Sequence, residues 1–217
     1  MRISLYQLYV LLLSLCTLAA AIAWVLPRTR TSLNDALPPT ATLLSSVRIV
    51  DHRYPVPGYE REAFGDGWGT RAGCTTREAI LASQFPGQGC EASGTTTGMY
   101  TGASISPHTS DIDHLFPLAA AWDMGAANWD EKRRVAFAND PLNLIAVDST
   151  ANREKSDQLP SEWLPPLQSS RCWYVRRVFY IAATYQLALT RADAWALRRE
   201  CFLSDLTHLN YSGGRPE

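Results

Sequence analysis

The fold of this chain is decided by three short stretches: Asp111-Ile-Asp-His-Leu-Phe-Pro-Leu118, Asn143-Leu-Ile-Ala-Val147 and Asn152-Arg-Glu-Lys155. The first two predict β-strands over Ser110–His114 and Leu142–Val147, and the third predicts a short helix from Ala151 onward. A long insertion, Leu118–Pro141, separates the strands. The sequence therefore predicts a strand, a strand and a helix in that order.

The polar residues of these stretches suit a site that holds one divalent metal ion against a phosphodiester. Asp113 offers an anionic oxygen and Asn152 a neutral one, which Mg²⁺ accepts when phosphate and water oxygens complete its octahedron. His114 has an ordinary pKa near neutrality, so its neutral imidazole can take a proton from water. Neighbouring strand residues point to opposite faces, so Asp113 and His114 can face one substrate only if the strand ends there. Pro117, which lacks a backbone donor, fits such an ending.

Three further residues are candidates for supporting parts. Asn143 could fix the tautomer of the imidazole by a hydrogen bond. Lys155, one of only two lysines in the chain, could neutralise phosphate charge. Asp111 could orient His114 or reach the metal through a water. The predicted catalytic residues are thus His114, Asn143 and Lys155, and the predicted metal ligands are Asp113, Asn152 and Asp111.

Together these motifs resemble an HNH nuclease of the ββα-metal type, and most closely the secreted branch of the domain of unknown function 1524 family. The longer run from Asp113 to Leu144, followed by Trp163-Leu-Pro-Pro166, resembles that branch at nearly every position. The resemblance covers roughly residues 59–201. It implies cleavage of DNA or RNA phosphodiesters, with His114 as the base and Asp113 and Asn152 as metal ligands. Mg²⁺ is the preferred ion, Mn²⁺ or another divalent ion is the alternative, and no organic cofactor is expected.

The N-terminal segment 1–23 has the basic start, apolar centre and Ala-x-Ala ending of a secretory signal. An uncleaved membrane anchor is the competing interpretation, because residues 3–26 are about long enough to span a bilayer. A linker is predicted over 24–57, with one short helix near 41–47, then a nuclease domain over 58–210 and a tail over 211–217. The predicted fold class is α+β: a ββα-metal core embedded in a mainly helical domain.

The cysteines predict disulfides in a secreted chain. Of the five, Cys16 lies in the signal segment, and the remaining four form an even number. Four cysteines permit three pairings. The sequentially local pairing, which the resemblance also implies, is Cys74 with Cys90 and Cys172 with Cys201. Zinc is the rival, but the chain has no Cys-x-x-Cys spacing.

Local signals also predict helices outside the motif. Thr75 and Glu78 have the spacing of a capping box, so a helix is expected to start there. Apolar residues recur at helical spacing over 171–188 and, less regularly, over 191–206. Two packed helices tied by a disulfide are therefore expected near the C-terminus.

Net charge does not indicate a protein that binds nucleic acid tightly. The chain has 20 Lys plus Arg against 21 Asp plus Glu, a formal charge of −1. A nuclease needs only a local positive field, which the metal, Lys155, Arg153 and Arg133 or Arg134 could supply. The sequence thus predicts an extracellular monomeric endonuclease of low sequence selectivity, which meets a membrane only if the N-terminal segment is not cleaved. The alternative is a catalytically silent secreted binding module, stabilised by disulfides, that keeps the HNH fold.

Overall fold

The computed structural model describes residues 5–25 and 37–212 of the chain. The chain divides into two compact units, Met1–Ala36 and Leu37–Glu217. The first unit contains helix α1 (Leu5–Val25), which covers most of the predicted signal. Among the described residues, none of the helices is both long enough and apolar enough to cross a membrane. The predicted tail lies outside the described residues from 213 onward, and cleavage after Ala23 stays a prediction.

The second unit combines helices with small two-stranded sheets, which confirms the α+β class. Its described α-helices are α2 (Thr40–Ser46), α3 (Thr76–Gln84), α4 (Leu118–Asp123), α5 (Glu131–Ala138), α6 (Ser149–Lys155), α7 (Arg171–Tyr185) and α8 (Arg191–Ser212). Its described strands are β1 (Arg48–Val50), β2 (Thr70–Arg71), β3 (Cys74–Thr75), β4 (Gly87–Gln88), β5 (Glu91–Ala92), β6 (Thr96–Thr97), β7 (Ser104–Ile105), β8 (Ser110–His114), β9 (Leu144–Asp148) and β10 (Ala188–Thr190). β1 pairs with β10 in parallel, whereas the pairs β2–β3, β4–β5, β6–β7 and β8–β9 are antiparallel.

The predicted strand, strand and helix are β8, β9 and α6. The antiparallel register of β8 and β9 places His114 opposite Leu144. α6 begins directly after β9 because the Asp148 carboxylate accepts hydrogen bonds from the N–H groups of Thr150 and Ala151, both at 3.0 Å. The three elements therefore follow one another in the order that the sequence predicts.

The β8–β9 ribbon lies between two apolar clusters. Ile145 and Val147 pack into the main core with α7, whereas Leu144 and Ala146 pack into a smaller cluster beside α3. This division follows from the alternation of side chains along a strand. β9 is thus buried on both faces, which explains why its sequence is apolar without interruption.

Both predicted disulfides are present, Cys74–Cys90 and Cys172–Cys201. The second joins α7 to α8, the two C-terminal helices. The predicted capping box is also present at α3, where the Thr75 side chain accepts from the Glu78 N–H and the Glu78 carboxylate accepts from the Thr75 N–H.

The folded domain begins earlier than the predicted boundary at residue 58. Within the predicted linker, residues 26–36 lie outside the described residues, but the later part forms α2 and β1. Leu43 on α2 is buried in the main core, and β1 pairs with β10. The helix over 40–46 matches the short helix predicted near 41–47. A three-residue strand has too little local pattern to be predicted, since its pairing with β10 is made only in the folded chain.

Candidate active site

The end of β8 lies at a cavity of about 300 Å³, which we name the β8 cavity. Asp113, His114, Asn152 and Arg61 all line it. β8 ends at His114, and α4 begins after an N-cap at Pro117, so the alternation that would separate two neighbours stops at this point. The structure thus brings three of the predicted site residues to one cavity.

Asp113 is 6% exposed and is held by two neighbours. The Tyr100 hydroxyl donates to Oδ2 at 2.5 Å, and Lys155 Nζ lies 3.0 Å from both carboxylate oxygens. Burial raises the pKa of the Asp113 carboxyl, while the charge of Lys155 and the hydrogen bond from Tyr100 oppose that rise. The carboxylate therefore has a fixed orientation at the cavity wall.

Lys155 serves the carboxylate rather than a phosphate. Its side chain is 0% exposed, and Nζ also donates to the His114 carbonyl at 2.9 Å. A fully buried ammonium with these partners is not in a position to contact a substrate. The prediction that Lys155 neutralises phosphate charge is therefore corrected: it is the buried counterion of Asp113.

His114 is a buried, neutral imidazole. Its Nε2 lies 2.9 Å from the Ala138 carbonyl oxygen at the end of α5. Because a carbonyl only accepts, Nε2 carries the proton in this contact and Nδ1 keeps the lone pair. Burial, together with the positive charges of Arg61 and Lys155, lowers the pKa of His114 to about 4, against the raising effect of the Ala138 contact. The ring is thus in the proton-accepting form at neutral pH.

Asn143 acts on the backbone and not on the imidazole. Its side chain is fully buried, with Oδ1 accepting from the Phe116 N–H at 2.8 Å and Nδ2 donating to the Phe116 carbonyl at 3.2 Å. The prediction that Asn143 fixes the imidazole tautomer is corrected, because the Ala138 carbonyl accepts the hydrogen bond that sets the tautomer. Asn143 instead holds the turn that follows β8 and so positions the end of that strand.

Asp111 and Asn152 contact each other. Asn152 Nδ2 donates to Asp111 Oδ2 at 3.2 Å. That contact sets the amide so that Oδ1 is the atom left to accept from a ligand. Asp111 therefore orients Asn152 rather than His114, and it reaches the β8 cavity only through that amide.

The donors at the β8 cavity fit a hard, largely hydrated cation. Within the part of the chain that the structure describes, there is no cluster of three or more His, Cys, Asp or Glu side chains arranged to hold a metal ion, so a site here would have fewer protein ligands of these types. One carboxylate from Asp113 and one amide oxygen from Asn152 suit Mg²⁺, which keeps several waters. A structural zinc site would require four nitrogen or sulfur ligands. The residues present are thus chemically compatible with Mg²⁺, and the choice of ion stays a prediction.

Arg61 is the cation that sequence reasoning missed. It is exposed and lines the β8 cavity. Arg133 and Arg134, which were candidates for this part, donate to the carbonyls of Tyr185 and Ala63 and so support the fold. Arg153 is exposed on α6. Nothing in the local sequence around Arg61 indicates a site, because the short 3₁₀ helix that carries it, Arg61–Phe64, lies beside the end of β8 only in the folded chain.

Tyr100 and the Ala138 carbonyl were also missed. Tyr100 lies 13 positions before Asp113 in a region rich in Thr and Gly, and no pattern links the two. Ala138 belongs to the insertion between the strands. The insertion therefore contributes directly to the site, by holding His114.

Two comparisons place the chain among known proteins. Residues 87–200 match the family model described as GmrSD restriction endonucleases, C-terminal domain. An uncharacterized secreted protein of Arthroderma benhamiae is 40% identical over 167 residues, which is 73% of this chain and 81% of that protein. No solved structure gives a significant match. The family match spans more than half of the chain and includes all six predicted site residues, so this chain belongs to the family of the GmrSD restriction endonuclease C-terminal domain.

Proposed function

We propose that this chain is a secreted endonuclease of the HNH type, which uses a divalent metal ion, preferably Mg²⁺, to hydrolyse DNA or RNA with low sequence selectivity. Membership in a restriction endonuclease family supports the nuclease class. The relative named as secreted and the two disulfides support the extracellular compartment. The observation that carries the proposal is the meeting of a neutral imidazole, a carboxylate and an amide oxygen at the β8 cavity.

In this proposal His114 is the general base. Nδ1 accepts a proton from a water, whose oxygen forms a bond to phosphorus as the bond from phosphorus to the 3′ oxygen breaks. The Ala138 carbonyl holds the ring in the tautomer that this transfer needs. Arg61 can donate to a phosphate oxygen from the same cavity wall.

Asp113 and Asn152 would hold the ion. A bound divalent ion supplies stabilisation of the negative charge on the phosphate and on the leaving oxygen. Tyr100 and Lys155 fix the Asp113 carboxylate, and Asp111 fixes the Asn152 amide, so both donors are oriented before any ligand arrives.

A catalytically silent binding module is the second candidate. One observation favours it: Asp113 already has a buried ion pair with Lys155, which could be kept for stability alone. The two candidates differ in whether phosphodiester bonds break.

Plasmid nicking by the purified mature chain tests the proposal. We expect nicking with Mg²⁺, loss of nicking with a chelator, and loss of at least about 100-fold in His114→Ala, since a general base contributes roughly that factor or more. His108→Ala is the matched control, because His108 is exposed. Nicking that is equal in all four samples contradicts the mechanism, and nucleic-acid binding without hydrolysis under any condition supports the silent module.

A further inference from the structure

A second cavity, of about 440 Å³, also has His114 in its wall. It shares His114, Arg61 and Leu118 with the β8 cavity. We name it the Trp68 cavity, after the aromatic side chain in its wall. Because the two cavities share these three residues, a ligand that occupies one lies beside the other.

The Trp68 cavity has a flat aromatic wall. The indole of Trp68 is half-buried and lies nearly parallel to the imidazole of His114, at an interplanar angle of 11° with ring centroids 6.0 Å apart. Trp68 also packs against the smaller apolar cluster, which fixes its position. A rigid aromatic plane of this kind is a stacking surface for a planar ring.

The charges of the Trp68 cavity disfavour a phosphate. Glu62 and Asp66 are exposed carboxylates in its wall, against the single guanidinium of Arg61. The two carboxylates outnumber the one guanidinium, so the wall of the cavity repels an anion. The carboxylate oxygens can instead accept hydrogen bonds from N–H groups. Arg61 belongs to both cavities, so a phosphate near it can lie on the β8 side. The Trp68 cavity therefore suits a neutral planar group that carries N–H donors.

We infer that the Trp68 cavity binds one unpaired nucleobase adjacent to the phosphodiester at the β8 cavity, so that the substrate is single-stranded or locally unpaired nucleic acid. This inference rests on the proposed function and names its substrate class. In a duplex both faces of a base are covered by stacking, and extruding the base costs a few kcal/mol. A single strand presents its bases with little such cost.

Binding measured without hydrolysis tests the inference. The mature chain is titrated, in the presence of a chelator, into fluorescently labelled single-stranded and duplex oligonucleotides of one sequence, and anisotropy is recorded. We expect Trp68→Leu, which keeps apolar packing but removes the aromatic face, to weaken single-strand binding about 10-fold, within the range for loss of one base stack. Duplex binding should change by less than about twofold. Trp195→Leu is the matched control, since Trp195 on α8 is 58% exposed, and it should bind as the unaltered chain does.

A second measurement uses the unaltered chain. An abasic site is moved along the single-stranded oligonucleotide, and we expect one position at which loss of the base weakens binding by a similar factor. A uniform response along the strand, or a Trp68→Leu variant that binds single strands as tightly as the unaltered chain, overturns the inference.

The two proposals fail separately. If Trp68→Leu binds single strands as the unaltered chain does and phosphodiester cleavage persists, the nucleobase site is refuted and the proposed nuclease function stands. If single-strand binding depends on Trp68 but the chain never hydrolyses nucleic acid, the proposed nuclease function is refuted and the nucleobase site stands.

Discussion

Replacing Lys155 with methionine tests whether the ion pair with Asp113 holds the site together. The substitution keeps most of the apolar stem but removes the ammonium, which bonds to Asp113 and to the His114 carbonyl. Asp113 is then left buried with Tyr100 as its remaining side-chain donor. An uncompensated buried carboxylate is costly, so the folded state should lose stability.

The expected loss is large because both partners are almost free of solvent, at 0% and 7% side-chain exposure. Breaking such a pair costs about 3–5 kcal/mol. With a urea dependence of about 2 kcal/mol per molar, the unfolding midpoint should fall by roughly 2 M. The assay is urea unfolding of the mature, oxidised chain, followed by far-ultraviolet circular dichroism.

Two further variants make the result specific. Lys132→Met changes the only other lysine, which is exposed, and should alter the free energy of unfolding by less than about 0.5 kcal/mol. Asp113→Asn in the Lys155→Met background removes the stranded charge and should recover part of the loss. If Lys155→Met costs no more than Lys132→Met, the ion pair does not support the site and the reasoning is refuted.

Three other outcomes are expected. Tyr100→Phe should lower the free energy of unfolding by about 1.5–3 kcal/mol, the value of a hydrogen bond to a charged group, whereas Tyr54→Phe, at 72% exposure, should not; equal effects in urea unfolding would contradict the contact with Asp113. In the metal-free chain, the pKa of His114 is about 4 when folded against 6.5 as its ordinary value, so the unfolded state binds more protons and stability should fall by about 3 kcal/mol as pH drops from 6.5 to 4. The difference between the urea stabilities of the unaltered chain and of His114→Gln, measured across that range, isolates this effect, and a flat difference would refute it. Replacing Cys172 and Cys201 together by alanine opens a loop with a sequence separation of 29 and should cost about 3–4 kcal/mol by loop entropy, whereas an unchanged calorimetric stability would show that the bond adds nothing.

The residue types and spacings near the site were sufficient to predict its elements. β8, β9 and α6 follow one another with caps and apolar patterns that act within a few residues, as the Asp148 cap illustrates. The capping box of α3 is equally local. The pairing of the cysteines was also correct, because each bond joins cysteines that are close in sequence, at separations of 16 and 29.

The partners of the polar side chains were not predictable in the same way. Lys155 has the position of a phosphate ligand along the chain, yet α6 packs so that its ammonium is enclosed beside Asp113. A buried charge must have a counterion, and which one is nearest depends on how the helix lies on the strands. The contacts of Asn143 with Phe116 depend on the same arrangement.

The order of the elements could be predicted from the sequence, because hydrogen bonding in helices, strands and caps depends on near neighbours. The sequence also supplied the residue types of the imidazole and oxygen donors, and the two disulfides join cysteines that are close in sequence. The tertiary structure alone decided that Tyr100 and Lys155 hold Asp113, that Ala138 sets the His114 tautomer, and that Trp68 and Arg61 stand beside the imidazole. These contacts join residues far apart in the chain, and their partners are selected by packing and by the cost of burying an unpaired polar group.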